Sequence, residues 1–280
     1  MHIIEKTITD FLNAAATGDA PLNEELLDEC MRDIRTKIVD TLHKKPDNVF
    51  RLRMSNIGKD LRQLMLEAKY GRVKANPEFL LKMLQGHVME RIFTYICKSQ
   101  GLALKTDDLV TVHVAGLDID GELDWYLETD GKVYDVKTAS DYAYNTKFAS
   151  FDSLASDDTF GYIDQLIGYA KGKNAQPGGW VVFHKVTGEY KVVEFPRHLN
   201  DVLPGWELRL RKKIEALQSG QMPACRGLEE ETFYKKPTGR TIIGKSCQYC
   251  DFKKLCHPNA SHEPSKSSKA KIKPMQWYVD

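Results

Sequence analysis

Apolar positions recur at helical spacing through residues 22–43, 56–70 and 76–100, and the first hundred residues read as helical. The third stretch opens with Asn76-Pro77, a cap followed by a first-turn proline. The pattern then changes. Residues 109–114 read as a strand, and 119–128 with 132–138 as a hairpin turning at Asp130-Gly131. Helical spacing returns at 159–172. Two more strands, 179–184 and 189–194, meet at Thr187-Gly188, and a helix follows at about 205–218. A polar stretch comes next, then a group of cysteines. From about 258 the chain is rich in Ser and Lys, a composition that does not fold alone, and it ends in an aromatic tip at Trp277-Tyr278. The order predicts an α/β fold with a small central mixed sheet flanked by helices. Its expected segments are a helical N-terminal part (1–75), a core (76–220), a cysteine-bearing part (221–258) and a flexible basic tail (259–280).

A two-residue turn at Asp130-Gly131 sets a register in which Thr129 faces Lys132 and Asp124 lies opposite Lys137, with Asp135 diagonal to it. Side chains alternate across a strand, so Asp124, Asp135 and Lys137 share one face. The other face carries Leu123, Trp125, Leu127, Tyr134 and Val136 and is predicted to meet the core.

Length and charge narrow the field only a little. The 280 residues suffice for one large domain or two small ones. The net charge of +1 does not by itself announce a nucleic-acid binder. Arg209, Arg211, Lys212 and Lys213 form either a phosphate track or a solvated helix face. No apolar run reaches membrane-span length, and the N-terminus lacks the pattern of a signal peptide. A cytoplasmic protein without membrane contact is expected.

The chemistry concentrates in the hairpin. Two carboxylates offer hard oxygen ligands for Mg²⁺ or Mn²⁺. Such an ion activates water and neutralises charge developing on a phosphodiester. Lys137 is suited to orient that water or to stabilise the transition state. A surface hairpin with a lysine bridging two acids shows the same letters. Two further pairs stand on helices. His87 and Glu90 share a face at i and i+3, and histidine suits a Mn²⁺-tolerant site. Gln165 and Tyr169 share one at i and i+4, where an amide and a phenol could hydrogen-bond phosphate or stack on a base.

In this order and spacing the set resembles the RecB-like and Cas4-like branch of the PD-(D/E)xK nucleases. The matching residues are His87 with Glu90, Gly121-Glu122-Leu123-Asp124, Asp135-Val136-Lys137, and Gln165 with Tyr169, and the resemblance covers roughly residues 54–257. It implies metal binding by His87, Asp124, Asp135 and the carbonyl of Val136, with Lys137 catalytic and Glu90, Gln165 and Tyr169 in the same machinery. Glycine stands next to His87 here and Glu90 follows after three residues, a departure from the family's spacing.

Six cysteines in a cytosolic chain do not suggest disulfides. Cys247, Cys250 and Cys256 form C-x2-C-x5-C, a spacing that Zn²⁺ and iron–sulfur clusters both accept. The nuclease branch it resembles often carries a [4Fe–4S] cluster on three such cysteines and one upstream, which staples the C-terminal segment to the N-terminal helices. The upstream element is matched by residues 54–62, with Asp60 in the cysteine slot. Asp60 is the first choice for fourth ligand. Cys30 or Cys225, or Zn²⁺ with His257 or His262, are the alternatives. Cys97 lies on an apolar helix face and reads as core.

The resemblance implies a metal-dependent DNA exonuclease acting on single strands or ends, in replication, recombination or repair, of phage or prokaryotic origin. No P-loop is visible, so a helicase would be a partner, as could a recombinase or a single-strand-binding protein. A non-catalytic nucleic-acid-binding or assembly subunit with the same fold is the alternative.

Overall fold

A computed structural model describes residues 1–45, 49–71, 77–225, 227–234 and 236–279. The expected cap at Asn76 lies outside them. The chain divides into two compact units. One comprises Met1–Asn48, Leu52–Gly58 and Lys74–Lys212, and the other Val49–Arg51, Lys59–Val73 and Lys213–Asp280.

The first unit is built on a five-stranded mixed sheet, β1 (Leu104–Val114), β2 (Leu117–Leu127), β3 (Lys132–Ala139), β4 (Gln176–His184) and β5 (Tyr190–Glu194), in that spatial order. Only β3 and β4 are parallel. A parallel pair needs a crossover, and here it carries a π-helical turn (Ala143–Lys147), α5 (Phe151–Ser156) and α6 (Tyr162–Lys173). Helices α1 (Ile3–Thr17) and α4 (Pro77–Ser99) set Ile4, Ile8, Phe93 and Ile96 against Trp125, Leu127, Tyr134 and Val181. Cys97 is part of this core. Helix α2 (Glu24–Leu42) packs on α4, and α6 packs on β1, β3 and β4. The mixed sheet flanked by helices is the predicted architecture.

The two-residue hairpin is not where the turn signal placed it. β1 and β2 are joined by Ala115-Gly116, both at positive φ (50° and 77°), the left-handed pair that suits the twist of a hairpin. Between β2 and β3 the connection spans residues 128–131, and Gly131 at φ 68° donates its N–H to the Leu127 carbonyl. Leu127 therefore pairs with Lys132, two residues away from the predicted register. A shift of two keeps every side chain on its face, whereas a shift of one would invert them all. The expected grouping of Asp124, Asp135 and Lys137 survives for that reason.

The second unit contains α3 (Leu61–Tyr70), a four-stranded sheet and the short helices α8 (Lys245–Gln248) and α9 (Lys253–Cys256). Helix α3 begins at Leu61, later than the apolar spacing predicted. The Asp60 carboxylate caps it by accepting the N–H of Arg62 at 2.9 Å and of Gln63 at 3.4 Å. The polar stretch after residue 220 forms β6 (Leu228–Phe233) and β7 (Lys236–Ile243). The expected flexible tail instead supplies β8 (Ser261–Pro264) and β9 (Met275–Tyr278), giving the order β6-β7-β9-β8. Composition argues against such a segment folding alone, but here a buried carboxylate anchors it. Glu231 accepts hydrogen bonds from Thr238, Arg240, Ser267 and the Tyr278 hydroxyl, each at 2.8 Å. Burial raises the Glu231 pKa, yet these donors outweigh it and hold the carboxyl down to about 2.

The basic cluster at 209–213 belongs to α7 (Leu199–Ser219), which starts six residues before the predicted point and runs through Pro204. Arg209 pairs with Asp164 at 2.8 Å, and Lys213 donates to the Lys59 carbonyl. No helix among the described residues is long and apolar enough to cross a membrane.

Candidate active site

The β2–β3 ladder runs through Leu127↔Lys132, Tyr126↔Val133 and Trp125↔Tyr134. One step further, the Asp124 side chain takes the place of a backbone partner, and its Oδ2 accepts the Val136 N–H at 2.7 Å. On β3 the Lys137 ammonium lies between 2.7 and 2.8 Å from the two oxygens of Asp135, with Oδ1 accepting the hydrogen bond. Asp135 is buried, and the ion pair with Lys137 serves its Oδ2. The structure thus brings the three predicted hairpin residues together.

Their electrostatics follow from crowding. Burial, then the negative charges of Glu90 and Asp135, push the Asp124 carboxyl well above the usual range, and Lys137 and the Val136 N–H offset only part of this. Burial works against the Lys137 ammonium, but Asp135 and Asp124 prevail and raise its pKa.

Helix α4 contributes the acid named above. Glu90 is buried, and His87 Nδ1 stands 4.0 Å from its Oε2. Behind it, Arg91 is fully enclosed and places Nη2 3.0 Å from Glu90 Oε1 while pairing with Asp107. From α6, Gln165 donates to the Tyr169 hydroxyl at 3.0 Å. Burial is the main reason the Tyr169 hydroxyl pKa is raised, followed by the charges of Asp135 and Asp124. The glycine of Gly121-Glu122-Leu123-Asp124 has a packing reason. A Cβ there would stand 2.6 Å from Met54 Cβ and 2.7 Å from Tyr169 Cε1.

Sequence reasoning passed over Arg91, Lys147 and Tyr162. Arg91 had a usable signal, since it is a charge beside Glu90 on a helix whose neighbouring positions are apolar. Tyr162 had a weaker one, three residues before Gln165 on the same helix face. Its ring lies 5.1 Å from Lys137 Nζ.

Among the described residues, no group of three or more His, Cys, Asp and Glu side chains stands close enough to hold a metal ion. At the hairpin the available donors are two carboxylates and a backbone carbonyl. Their oxygen chemistry fits a hard divalent cation, whose charge would offset the repulsion that raises Asp124 and would join Lys137 at the Asp135 carboxylate.

The cysteine segment forms a second cluster of side chains. Leu66, Cys250 and Phe252 pack together with Met222 and Cys256. Arg62 Nε donates to Cys256 Sγ at 3.1 Å. Cys225 lies 3.5 Å from His257 Nε2 and near the Cys256 carbonyl. Burial comes first in raising the Cys225 thiol to about 11, with Cys256 adding to it. Four thiols in one unit match a soft metal in donor type, although their side chains do not stand as a metal-holding group. Asp60 caps α3, and His262 stacks on Trp277 at 4.6 Å between ring centres. Cys30 is buried and donates to the Arg91 carbonyl.

None of the curated proteins matches the chain. Among solved structures, the protein SSO0001 is 16% identical over 81% of this chain and 95% of its own, with a TM-score of 0.44. A phage-related exonuclease from Haemophilus somnus 129PT is 15% identical over 60% of this chain and 95% of its own, with a TM-score of 0.37. Likenesses that distant carry no argument. The sequence profile of the PD-(D/E)XK nuclease superfamily, by contrast, matches residues 15–257, most of the chain and every element of the hairpin site. The protein belongs to the PD-(D/E)XK nuclease superfamily.

Proposed function

We propose that the protein is a Mg²⁺- or Mn²⁺-dependent DNA exonuclease acting on single strands or ends, in replication, recombination or repair. The observation that carries this reading is the Asp135–Lys137 ion pair beside Asp124, at the point where β2 and β3 stop pairing. Asp124, Asp135 and the Val136 carbonyl would hold the cation, with His87 and Glu90 at its edge. A divalent cation bound there supplies Lewis-acid stabilisation of the charge that develops on the scissile phosphate. Lys137, fixed by Asp135, presents a positive charge and N–H donors to the same phosphate or to the attacking water. Gln165 and Tyr169 offer donors from α6 that orient the backbone of the nucleic acid. Glu90 is kept in place by Arg91. A helicase, recombinase or single-strand-binding protein would deliver the end.

The cysteine segment belongs to the same proposal. Cys247, Cys250 and Cys256 would hold a [4Fe–4S] cluster or Zn²⁺. Cys225 supplies the fourth thiol in preference to Asp60, because Asp60 Oδ1 is engaged at the start of α3.

The experiment is degradation of end-labelled single- and double-stranded DNA with Mg²⁺ or Mn²⁺, comparing the wild type with Lys137→Ala. Shortening by the wild type alone supports the reading. Equal DNA binding by both, with cleavage by neither, replaces it with a non-catalytic binding subunit.

A further inference from the structure

The crossover between β3 and β4 places a row of aromatic rings beside Lys137 that the catalytic reading leaves unused. Gly161, at φ 73°, separates Phe160 from Tyr162. A Cβ on Gly161 would lie 2.2 Å from Gly58 Cα, so the backbone is fixed there by close approach. Asp158 accepts the N–H groups of Tyr162 and Ile163 at 2.8 and 2.9 Å and anchors the start of α6. Two ammonium groups share the Tyr162 ring. Lys137 Nζ lies 5.1 Å from its centre and Lys147 Nζ 5.9 Å. Lys147, buried at the end of the π-helical turn, also lies 4.7 Å from the centre of Phe160. The Phe160 and Tyr162 rings are 5.6 Å apart and inclined by 32°. The row starts at the catalytic lysine and ends in solvent, since Phe160 is 40% exposed.

An exposed ring over a buried ammonium, one aromatic step from a phosphate-handling lysine, has the chemistry of a nucleotide platform. Bases stack on aromatic faces without regard to sequence, and nearby cations attract the backbone. Inside a duplex both faces of a base are covered by its stacked neighbours, so such a platform takes a base that is out of the stack. We propose that Phe160, supported by Lys147 and Tyr162, is a base-stacking subsite that holds one nucleoside of a single-stranded nucleic acid next to the bond aligned with Lys137. The proposal rests on the nuclease reading and gives that site a single-strand preference.

The test is binding, measured apart from cleavage. Fluorescence anisotropy without divalent cations would follow a labelled 12-residue oligothymidylate and an abasic strand of the same length. Phe160→Ala is expected to weaken oligothymidylate binding about tenfold, within the range that loss of one stacked base produces, and to leave the abasic strand unchanged. Phe160→Trp should retain binding. Phe160→Leu, which keeps the bulk without the π-face, should behave as the alanine variant does and covers the case in which the latter does not fold. Equal weakening of both strands, no change in either, or no binding of oligothymidylate by the wild type overturns the subsite. Cleavage of end-labelled DNA by the wild type and not by Lys137→Ala would still stand in that event, so the two failures are distinct.

Discussion

The Asp124 carboxylate accepts the Val136 N–H at 2.7 Å, one residue beyond the last β2–β3 pair. A side chain thereby ends the ladder, and the same oxygens are left facing Asp135 and Glu90. Asp124→Asn preserves the acceptor and removes a charge. Because the folded pKa of Asp124 lies above its unfolded value, the ionised group destabilises the fold at every pH above the unfolded pKa, and this effect disappears in acid. The variant should therefore melt higher than the wild type at neutral pH in chelator, with the difference fading below about pH 4. Its DNA cleavage should fall by about 10²–10³-fold or more. A lower melting temperature at neutral pH would contradict the crowding argument.

Lys137→Ala separates stability from chemistry in another way. It leaves the buried Asp135 carboxylate without its cation, a change that typically costs about 3–5 kcal/mol. Urea unfolding in chelator should register this loss. Divalent ions should restore part of the stability without restoring cleavage.

Gly121→Ala tests the packing behind the motif. The added methyl meets Met54 and Tyr169 inside van der Waals distance, and forcing a methyl into a filled core costs about 1–3 kcal/mol. A fall in thermal midpoint, accompanied by weaker cleavage through displacement of Tyr169, is the expected result. An unchanged midpoint would mean that Met54 moves aside freely.

The sequence carried much of this site because the decisive residues lie close along one hairpin. Asp124, Asp135 and Lys137 could be grouped from alternation alone, and the grouping tolerated a register that was off by two. Turn chemistry was less informative. Asp130-Gly131 has the letters of a tight hairpin, yet the tight hairpin formed at Ala115-Gly116, where residue type gave little warning. Long-range partners were invisible. Nothing in local spacing joins Glu231 to Tyr278, or Phe160 to Lys137, and the segment after residue 258 read as structureless because its anchor sits 47 residues from Tyr278.

That anchor has a pH signature. The folded pKa of Glu231 is about 2, below its unfolded value. Its contribution is thus complete above the unfolded pKa, near 4.3–4.5, and is lost as pH falls through about 2. Glu231→Gln should flatten the acid limb of thermal stability between these values. Tyr278→Phe should cost about 1.5–3 kcal/mol, the worth of a hydrogen bond to a charged group. An acid limb identical to the wild type would place the titration elsewhere.

Metal content decides the cysteine segment. Protein purified without oxygen should contain iron with acid-labile sulfide, or zinc. Cys225→Ser should lower that content as strongly as Cys250→Ser, while Asp60→Asn, which keeps the α3 cap, should leave it intact. Loss of metal in Asp60→Asn with retention in Cys225→Ser would reverse the assignment of the fourth ligand.

The parallel pairing of β3 with β4 also dictates when the site becomes complete. Residues 140–175 separate the two strands, so a long loop must close before their contacts form, whereas the β1–β2–β3 meander closes through short turns. Asp124 and Asp135 can assemble early, but Gln165, Tyr169 and the aromatic row reach them only after the crossover has docked. Cleavage therefore reports the end of folding, and a nascent chain carries its acids for some time before it can cut.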